Sequence, residues 1–338
     1  MGKNVKFFVI IVSLILSISM MSACSDSSSD NVGKSWSSLN ISDAYDLQSA
    51  LSVGSKIYAG GLGSNNKVGL WIVENNAVSE HLDVADTFGV TCGIAEDVSG
   101  DLYLGWYSPV QGYVAKYDPA TGAISDTGLS GAGIVSDITA YNGLVYAGGQ
   151  TSDSTPAGEV WQYDGSSWTG MNVSGLNNVA CLTFYKDTLY IAGIDSSSNY
   201  AKVLAYVGGI WTDVQFPYSA PSIWVMTAGG SNLYVGGTDS SYDGQVWKYN
   251  GKDWNGMDLK YSNDVYALLV DSSSFLYAGG EDNEEYDGQV WKYDNAKWES
   301  TGLLGAKMIY ALVEGADGSI YAVGTDDPFN NGQMWKYQ

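Results

Sequence analysis

The chain has 338 residues, with 37 Asp and Glu against 15 Lys, a single His and no Arg, so its formal net charge at pH 7 is −22. A protein that binds nucleic acid needs a basic surface to neutralise the phosphates. The acidic balance of this chain therefore excludes nucleic acid as a partner. An anionic membrane surface would repel the folded part of the chain for the same reason.

The N-terminal segment predicts export. Lys3 and Lys6 precede an apolar stretch from Phe7 to Ile18, which is too short to cross a bilayer as a stable helix. A positive start, a short apolar stretch and small residues before a cleavage site are typical of a signal peptide, here residues 1–23. The Ser- and Asp-rich sequence that follows predicts a flexible tether over residues 24–33.

The end of the signal segment reads Met21-Ser22-Ala23-Cys24. This motif resembles the bacterial lipobox, with Met21 where leucine is usual. The resemblance implies that Cys24 is diacylated, for example with palmitate, and becomes the first residue of the mature protein. It implies a protein of the cell envelope, at the outer membrane or the cell surface, that touches the membrane through its N-terminal lipid only. A plain signal peptide or a membrane anchor is the alternative.

A tyrosine recurs every 43 to 45 residues, each inside a phrase like Leu276-Tyr277-Ala278-Gly279-Gly280. The seven tyrosines are Tyr58, Tyr103, Tyr146, Tyr190, Tyr234, Tyr277 and Tyr321. A second phrase, of the type Val-Trp-Lys-Tyr, follows each of them, with tryptophan at Trp71, Trp161, Trp247, Trp291 and Trp335. These tryptophans recur in register and are predicted to form the core of the repeats. Self-similarity at this period indicates a repeat architecture.

Each repeat contains four apolar runs separated by Ser, Gly, Asn and Asp, the pattern of strands and turns. In one repeat the runs are Asp264–Leu269, Phe275–Gly280, Val290–Asp294 and Trp298–Leu303. Four strands in about 44 residues is the length of a propeller blade. Seven copies therefore predict an all-β, seven-bladed β-propeller with four-stranded blades over residues 34–338. The predicted repeats are 44–85, 88–130, 133–175, 177–217, 220–260, 262–304, and 306–338 completed by 34–40.

The last repeat stops at Gln338, before the tryptophan strand that ends the others. The missing strand is at the other end of the chain, because Gly33-Lys34-Ser35-Trp36 resembles Gly251-Lys252-Asp253-Trp254. We expect the N-terminal strand to complete the last blade and close the ring, which removes unpaired strand edges that invite aggregation.

Four repeats end their second strand with a glycine doublet. These doublets are Gly60-Gly61, Gly148-Gly149, Gly236-Gly237 and Gly279-Gly280. A doublet followed by a tyrosine and then a tryptophan resembles the kelch repeat, as in the central domain of galactose oxidase. The resemblance covers residues 34–338, although blades two, four and seven lack the doublet.

The residue inventory disfavours catalysis. Sialidase-type sites hold a carboxylate with arginines, and this chain has none. A copper oxidase, a zinc site or a nucleophile paired with histidine needs more than His81, which is placed in an outer strand. Carboxylate chemistry, or hydrolysis at an all-oxygen calcium site, remains the open enzymatic alternative. We predict no catalytic residue and no cofactor, with calcium the one possible ion.

Long acidic loops follow the second strands of blades five to seven. Their carboxylates are weak calcium candidates, namely Asp239, Asp243, Asp282, Asp287 and Asp326. Solvated turns explain the same residues, because Asp and Asn favour turns, and we prefer that interpretation.

One aligned position of the innermost strands varies far more than its neighbours. Its seven residues are Gln48, Cys92, Ser136, Ala180, Trp224, Tyr266 and Tyr310. Trp224, Tyr266 and Tyr310 would form an aromatic wall near the channel mouth, suited to a sugar ring or to a partner's side chains. The predicted pocket comprises these three residues with Gln48 and Asp137. Packing between blades is the competing explanation.

The remaining cysteines, Cys92 and Cys181, fall in non-neighbouring blades, too far apart for the Cα separation that a disulfide tolerates. The sequence thus favours a non-enzymatic, lipid-anchored binding or scaffolding module whose partner is an envelope or extracellular protein. The alternative is a carbohydrate-binding or carbohydrate-processing propeller, possibly calcium-dependent, with a glycan ligand.

Overall fold

The structure is a computed structural model that describes residues 34–294, 296–326 and 331–338. Residues Ser35–Gln338 form one compact unit. The predicted signal peptide and tether, including Cys24, lie outside the described residues. No helix in the described ranges is long and apolar enough to cross a membrane.

The described residues form 28 strands, arranged in seven sheets of four antiparallel strands. Blade 1 contains β2 (Ala44–Val53), β3 (Lys56–Gly63), β4 (Val68–Glu74) and β5 (Ala77–Ala85). Blade 2 contains β6 (Val90–Glu96), β7 (Leu102–Tyr107), β8 (Gly112–Asp118) and β9 (Ala123–Asp126). Blade 3 contains β10 (Ala132–Tyr141), β11 (Leu144–Thr151), β12 (Gly158–Tyr163) and β13 (Trp168–Gly170).

Blade 4 contains β14 (Cys181–Tyr185), β15 (Thr188–Ile194), β16 (Ala201–Val207) and β17 (Ile210–Asp213). Blade 5 contains β18 (Ser222–Gly229), β19 (Asn232–Thr238), β20 (Gly244–Tyr249) and β21 (Trp254–Gly256). Blade 6 contains β22 (Ser262–Val270), β23 (Leu276–Asp282), β24 (Gly288–Tyr293) and β25 (Trp298–Ser300). Blade 7 contains β26 (Met308–Glu314), β27 (Ile320–Thr325), β28 (Gly332–Tyr337) and the N-terminal β1 (Trp36–Ser38).

The blades form a closed ring. The innermost strand of every blade contacts the innermost strands of both neighbouring blades, including β26 of blade 7 against β2 of blade 1. The strand β1 pairs antiparallel with β28, with Trp36 opposite Tyr337. These two rings stack with their centroids 5.0 Å apart. The predicted seven-bladed propeller, closed by its N-terminal strand, is confirmed.

Aromatic side chains hold neighbouring blades together. The tryptophans of the third strands are buried, as Trp71, Trp247 and Trp335 illustrate, which confirms the prediction that they are core. The tryptophans of the outermost strands are half-buried, and each indole N–H bonds to the preceding blade. Five such bonds, at 3.0–3.1 Å, run from Trp36 to Thr301, from Trp168 to Thr127, from Trp211 to Met171, from Trp254 to Val214, and from Trp298 to Met257.

The strand limits in blade 6 differ slightly from prediction. The strand β22 starts two residues earlier than expected, at Ser262, and β25 ends at Ser300 rather than Leu303. The chain leaves the sheet there because Gly302 adopts a positive φ of 76°, a conformation that glycine tolerates and a strand does not. The predicted second and third strands overlap β23 and β24.

Antiparallel order gives the ring two different faces. In each blade the loop from second to third strand and the connection to the next blade lie at the same end. Hydrogen bonds join these two loop types, for example from Ser64 N to Asp43 O at 2.9 Å and from Ser152 N to Gly131 O at 2.9 Å. We call this end the connection face, and we call the opposite end, with the first-to-second and third-to-fourth turns, the turn face.

Candidate functional site

A cavity of about 320 Å³ lies among the innermost strands, toward the connection face. All seven residues of the variable aligned position line it, together with Tyr107 and Asn178. The structure thus brings Gln48, Trp224, Tyr266 and Tyr310 into one cavity. It does not place Asp137 in the lining.

Six of the seven aligned residues occupy β-bulges. In these six innermost strands the pairing register skips the aligned residue, for instance between Ile223 and Val225 and between Val265 and Ala267, whereas the pairing of β14 in blade 4 shows no such skip. The skipped residues are Gln48, Cys92, Ser136, Trp224, Tyr266 and Tyr310. A bulge leaves its extra residue unpaired and re-aims the side chain. The bulges therefore turn one residue toward the cavity in each of these six blades.

Three aromatic rings form a continuous wall of the cavity. The ring centroids of Trp224 and Tyr266 are 5.8 Å apart, and those of Tyr266 and Tyr310 are 5.7 Å apart. These separations and their tilted geometry lie in the range of attractive aromatic pairs. The predicted aromatic wall is present, and Trp224 is 46% exposed at its end.

A carboxylate orients the exposed end of this wall. The Trp224 indole N–H donates to Asp264 Oδ1 at 3.2 Å, and the Thr238 hydroxyl donates to the same oxygen. Burial raises the pKa of the Tyr266 phenol, and the negative charge of Asp264 raises it further. Tyr266 therefore stays protonated at neutral pH and remains a hydrogen-bond donor.

A second carboxylate, Asp46, lies behind the other end of the wall. Its Oδ2 accepts a hydrogen bond of 2.6 Å from the side-chain amide of Gln48, whereas its Oδ1 is buried without a partner. Burial raises the pKa of Asp46, and the bond from Gln48 opposes this shift. Burial raises the pKa of Tyr310 to about 12, with the charge of Asp46 adding to it. The negative charge of Asp46 thus helps to keep Tyr310, a residue of the cavity wall, protonated.

Asp137 joins two blades rather than lining the cavity. One of its oxygens accepts a bond from its neighbour Ile138 N at 2.8 Å, and the other accepts a bond from Leu182 N of blade 4 at 2.9 Å. Burial raises its pKa from 3.8 to about 7, against these two bonds, which lower it. The sequence marked Asp137 as a charged residue on an inner strand, but the pattern does not reveal this inter-blade bond.

The two described cysteines are free thiols, Cys92 half-buried in the cavity lining and Cys181 buried beside it. Burial raises the pKa of Cys92 to about 12 and that of Cys181 well above its usual value, and the charge of Asp137 adds to both shifts. Thiolates at these positions are therefore scarce at neutral pH.

The acidic loops cap their own turns. Asp239 Oδ1 accepts bonds from the amides of Ser241 and Asp243, and Asp282 Oδ1 accepts three amides of its own loop. Asp287 approaches the ammonium of Lys307 at 3.9 Å. Of the other candidates, Asp243 accepts a long bond of 3.5 Å from Asn283, and Asp326 Oδ1 is buried without a partner. Among the described residues, no group of three or more His, Cys, Asp or Glu is placed to hold a metal ion.

A larger groove of about 780 Å³ lies at the periphery, between the outer parts of blades 5 and 6. Its walls include Trp291, Tyr293 and Trp298, and the first two pack in the blade 6 core while the Trp298 indole bonds to Met257. Structural packing therefore accounts for these three aromatic residues, whereas Tyr261 at the edge of the groove is exposed.

The exposed aromatic side chains are distributed unevenly over the two faces. Within the described ranges, eight Tyr, Trp and Phe side chains are exposed: Tyr45, Phe88, Tyr107, Tyr200, Trp224, Tyr242, Tyr261 and Tyr286. All eight belong to the loops or strand ends of the connection face or to the cavity. The exposed apolar residues of the turn face are aliphatic, for example Val98 and Val207. The sequence contained part of this signal, because Tyr261 and Tyr286 fall outside the strands predicted for that repeat.

Comparison with known proteins identifies the fold of this chain but does not assign it to a family. No family model matches the chain, and no curated protein matches it. Virginiamycin B lyase from Staphylococcus aureus is similar in structure, with a TM-score of 0.72 and 11% identity over 90% of this chain and 99% of that one. The WD40 β-propeller domain of Doa1 gives a TM-score of 0.65 and 14% identity over 89% and 95%. YCF48 bound to D1 peptide gives a TM-score of 0.63 and 10% identity over 89% of this chain and 96% of that one. These likenesses establish the propeller fold.

Proposed function

We propose that this chain is a kelch-like propeller, lipid-anchored in the bacterial cell envelope, that binds a protein partner on its connection face and catalyses no reaction. The observation that carries the proposal is the confinement of all eight exposed aromatic side chains in the described ranges to that face and its cavity. Aromatic residues are enriched in protein interfaces and dominate their binding energy.

The anchoring part of the proposal rests on the sequence that ends at Cys24. Labelling cells with a radioactive fatty acid tests it. We expect label on the wild-type protein and none on Cys24→Ser, because the thiol is the attachment point. Label that survives this substitution would contradict lipidation at Cys24.

The absence of catalysis is supported by the chemistry of the side chains. The chain has no arginine, and its single histidine, His81, is exposed and stacked on the buried Trp71 at 4.5 Å between ring centroids. The similar S. aureus protein is named a lyase, but at 11% identity that activity does not transfer. A protein partner agrees with the description of YCF48 as bound to a peptide.

Site-specific photo-crosslinking in intact cells tests partner binding. A photoreactive amino acid replaces Tyr242 or Tyr286 on the connection face, and Val98 or Val207 on the turn face serves as the matched control. All four side chains are exposed, at 74%, 53%, 79% and 55%. We expect one protein adduct from the two tyrosine positions and none from the two valine positions.

Adducts of equal yield from both faces would contradict a specific connection-face interface, as would no adduct from either. Recovery of glycan without protein in the same experiment would favour the alternative function.

That alternative is carbohydrate binding in the cavity. It is favoured by the aromatic wall together with the side-chain amides of Gln48 and Asn178 in the same lining, since sugar rings stack on aromatic faces while amides bond their hydroxyls. Saturable binding of a simple sugar that Trp224→Ala abolishes would establish it. The absence of saturable sugar binding would remove it.

A further inference from the structure

The central cavity combines features that together select one kind of ligand. Three aromatic rings, Trp224, Tyr266 and Tyr310, stand side by side along its wall, with successive centroids 5.8 and 5.7 Å apart. An aromatic face attracts a cation through its quadrupole, and several rings around one site add their contributions. Such a wall favours an ammonium or guanidinium group over an anion.

Negative charge lies at both ends of the aromatic wall. At one end, Asp264 accepts the Trp224 indole N–H at 3.2 Å. At the other end, the carboxylate of Asp46 is bonded to the lining residue Gln48 at 2.6 Å. Burial is the main cause that raises the pKa of Tyr107, Tyr310 and Cys92, which all line the cavity, and the negative charge of Asp46 adds to each shift.

The Asp46 carboxylate is not fully satisfied by the protein. Its Oδ1 is buried and has no hydrogen-bond partner. Buried polar atoms in native proteins nearly always have a partner, so an orphaned carboxylate oxygen calls for an explanation. Asp46 does not itself line the cavity, so a cation held there would balance its negative charge across the side chain of Gln48, which bonds to Asp46 and lines the cavity.

The protein does not neutralise the cavity itself. Among the residues that the structure describes, the lining contains no lysine, arginine or histidine. Lys307 lies nearby on blade 7, but its ammonium bonds to Tyr286 O and approaches Glu281 and Asp287, each at 3.9 Å. With a formal net charge of −22 for the chain, the surrounding field also attracts cations.

From these observations we infer that the cavity binds a basic side chain, lysine or arginine, presented by the protein partner. The aromatic wall of Trp224, Tyr266 and Tyr310 takes the cation and its aliphatic stem, and Asp46 and Asp264 supply the counter-charge. A volume of about 320 Å³ lies at the lower end of the range for ligand pockets, roughly 300–1,000 Å³, and accommodates one such side chain. The inference rests on the proposed function, because it assumes a protein partner.

Binding of short peptides to the purified protein tests this inference without knowledge of the partner. The probes are oligolysine and oligoarginine, with oligocitrulline, which has nearly the shape of oligoarginine but no charge, as the control peptide. Affinity is measured by calorimetry at physiological salt, which screens long-range attraction. We expect saturable, one-to-one binding of at least one basic peptide and none of oligocitrulline.

Matched variants separate cavity binding from general attraction to an acidic protein. Asp46→Asn and Asp153→Asn each remove one negative charge, but Asp153 is exposed in a loop of the connection face, outside the cavity lining. We expect Asp46→Asn and Trp224→Ala each to weaken peptide binding by about fivefold or more, and Asp153→Asn to change it by less than about twofold. An unchanged melting temperature would show that each variant folds.

Equal losses in Asp46→Asn and Asp153→Asn would overturn the inference, as would binding of oligocitrulline. A free polyamine such as spermidine that binds more tightly than the peptides, with the same dependence on Asp46, would assign the site to a small amine and overturn the assignment to a partner side chain. Photo-crosslinking of a partner from Tyr286 that is unaffected by Asp46→Asn would refute this inference while the proposed function stands. Absence of any crosslink from Tyr286 when Asp46 is unchanged would refute the proposed function.

Discussion

The backbone carbonyl oxygen of Asp264 lies so close to the Cα of Gly280 that any Cβ at position 280 would collide with it. The carbonyl belongs to the residue two positions before the bulged Tyr266, and Gly280 pairs with Val265 in between. The same collision would occur in five other blades, where the carbonyl and glycine pairs are Asp46 and Gly61, Ile134 and Gly149, Asn178 and Gly193, Ser222 and Gly237, and Met308 and Gly324. Glycine therefore makes room for this carbonyl, which precedes the bulged residue of the cavity wall in all of these blades except blade 4.

We expect Gly280→Ala to destabilise the propeller by about 1–3 kcal/mol, the usual cost of forcing an extra methyl group into a packed site. Gly170→Ala is the matched control, since a Cβ there meets only the Glu159 side chain at ordinary contact distances of 3.6 and 3.7 Å. Chemical denaturation of both variants measures the difference. Equal stability of the two alanine variants would refute the steric role of Gly280.

This relationship also explains what the repeat pattern could and could not predict. The period of tyrosines and tryptophans predicted the blades, because those residues must fill the same inter-blade space in every repeat. The glycine doublet resembles a family feature, yet blades 4 and 7 keep only its second residue, at Gly193 and Gly324, which is the one that the close carbonyl oxygen requires. In blade 2, Trp106 pairs with Thr91 at this position instead.

The variable aligned position was predictable because a bulged residue facing a cavity escapes the packing constraints on its neighbours. The roles of Asp46, Asp264 and Asp137 were not predictable, since each depends on a hydrogen bond that a residue pattern does not encode. Asp137 bonds to Leu182 in the next blade, 45 residues away. Asp46 and Asp264 stand two residues before a bulge, where the alternation of strand faces is interrupted.

Removal of residues 34–40 is expected to lower the melting temperature of the whole propeller. These residues include β1, whose Trp36 stacks on Tyr337 and donates its indole N–H to Thr301 of blade 6 at 3.0 Å. Without β1, the backbone edge of β28 loses its partner strand, and the ring of Tyr337 loses its contact with Trp36 and is exposed to water. Calorimetry measures the effect, and a deletion variant that melts like the wild type would refute closure by this strand.

The thiols of the native propeller are expected to react slowly with a thiol reagent at neutral pH. Cys181 is buried, and the pKa of Cys92 is raised to about 12 by burial, so neither supplies much thiolate. Labelling of Cys24→Ser, which leaves only these two cysteines, should therefore be slow when folded and complete after unfolding. Val98→Cys in the same background, at a position that is 79% exposed, provides the fast control. If fewer than two thiols per chain react after unfolding, Cys92 or Cys181 is engaged in a disulfide.

Millimolar calcium is expected to leave the melting temperature unchanged. The carboxylates of Asp239 and Asp282 already accept backbone amides of their own loops, which makes them turn caps rather than vacant ligands. Calorimetry with and without calcium provides the measurement. A calcium-dependent rise that is lost in Asp282→Asn would contradict this interpretation and establish the loops as a calcium site.

The stability contributed by Asp137 is expected to fall as pH rises. Its pKa is raised by burial from 3.8 in the unfolded chain to about 7 in the folded protein, so between these values the native state binds the additional proton. Stability from this residue is therefore fully present below about pH 4 and is lost as pH rises through about 7, with a slope of up to about 1.4 kcal/mol per pH unit.

Asp137→Asn isolates this dependence, because asparagine keeps a carbonyl oxygen for one backbone amide but does not titrate. Other carboxylates have pKa values lowered by their hydrogen bonds, among them Asp164, to about 2, and their opposite contribution is common to both proteins. The stability of the wild type minus that of Asp137→Asn, from denaturation at a series of pH values, should decline between about pH 4 and about pH 7. A difference that is flat over this window would show that Asp137 titrates as an ordinary exposed carboxyl, and that its bond to Leu182 offsets the cost of its burial.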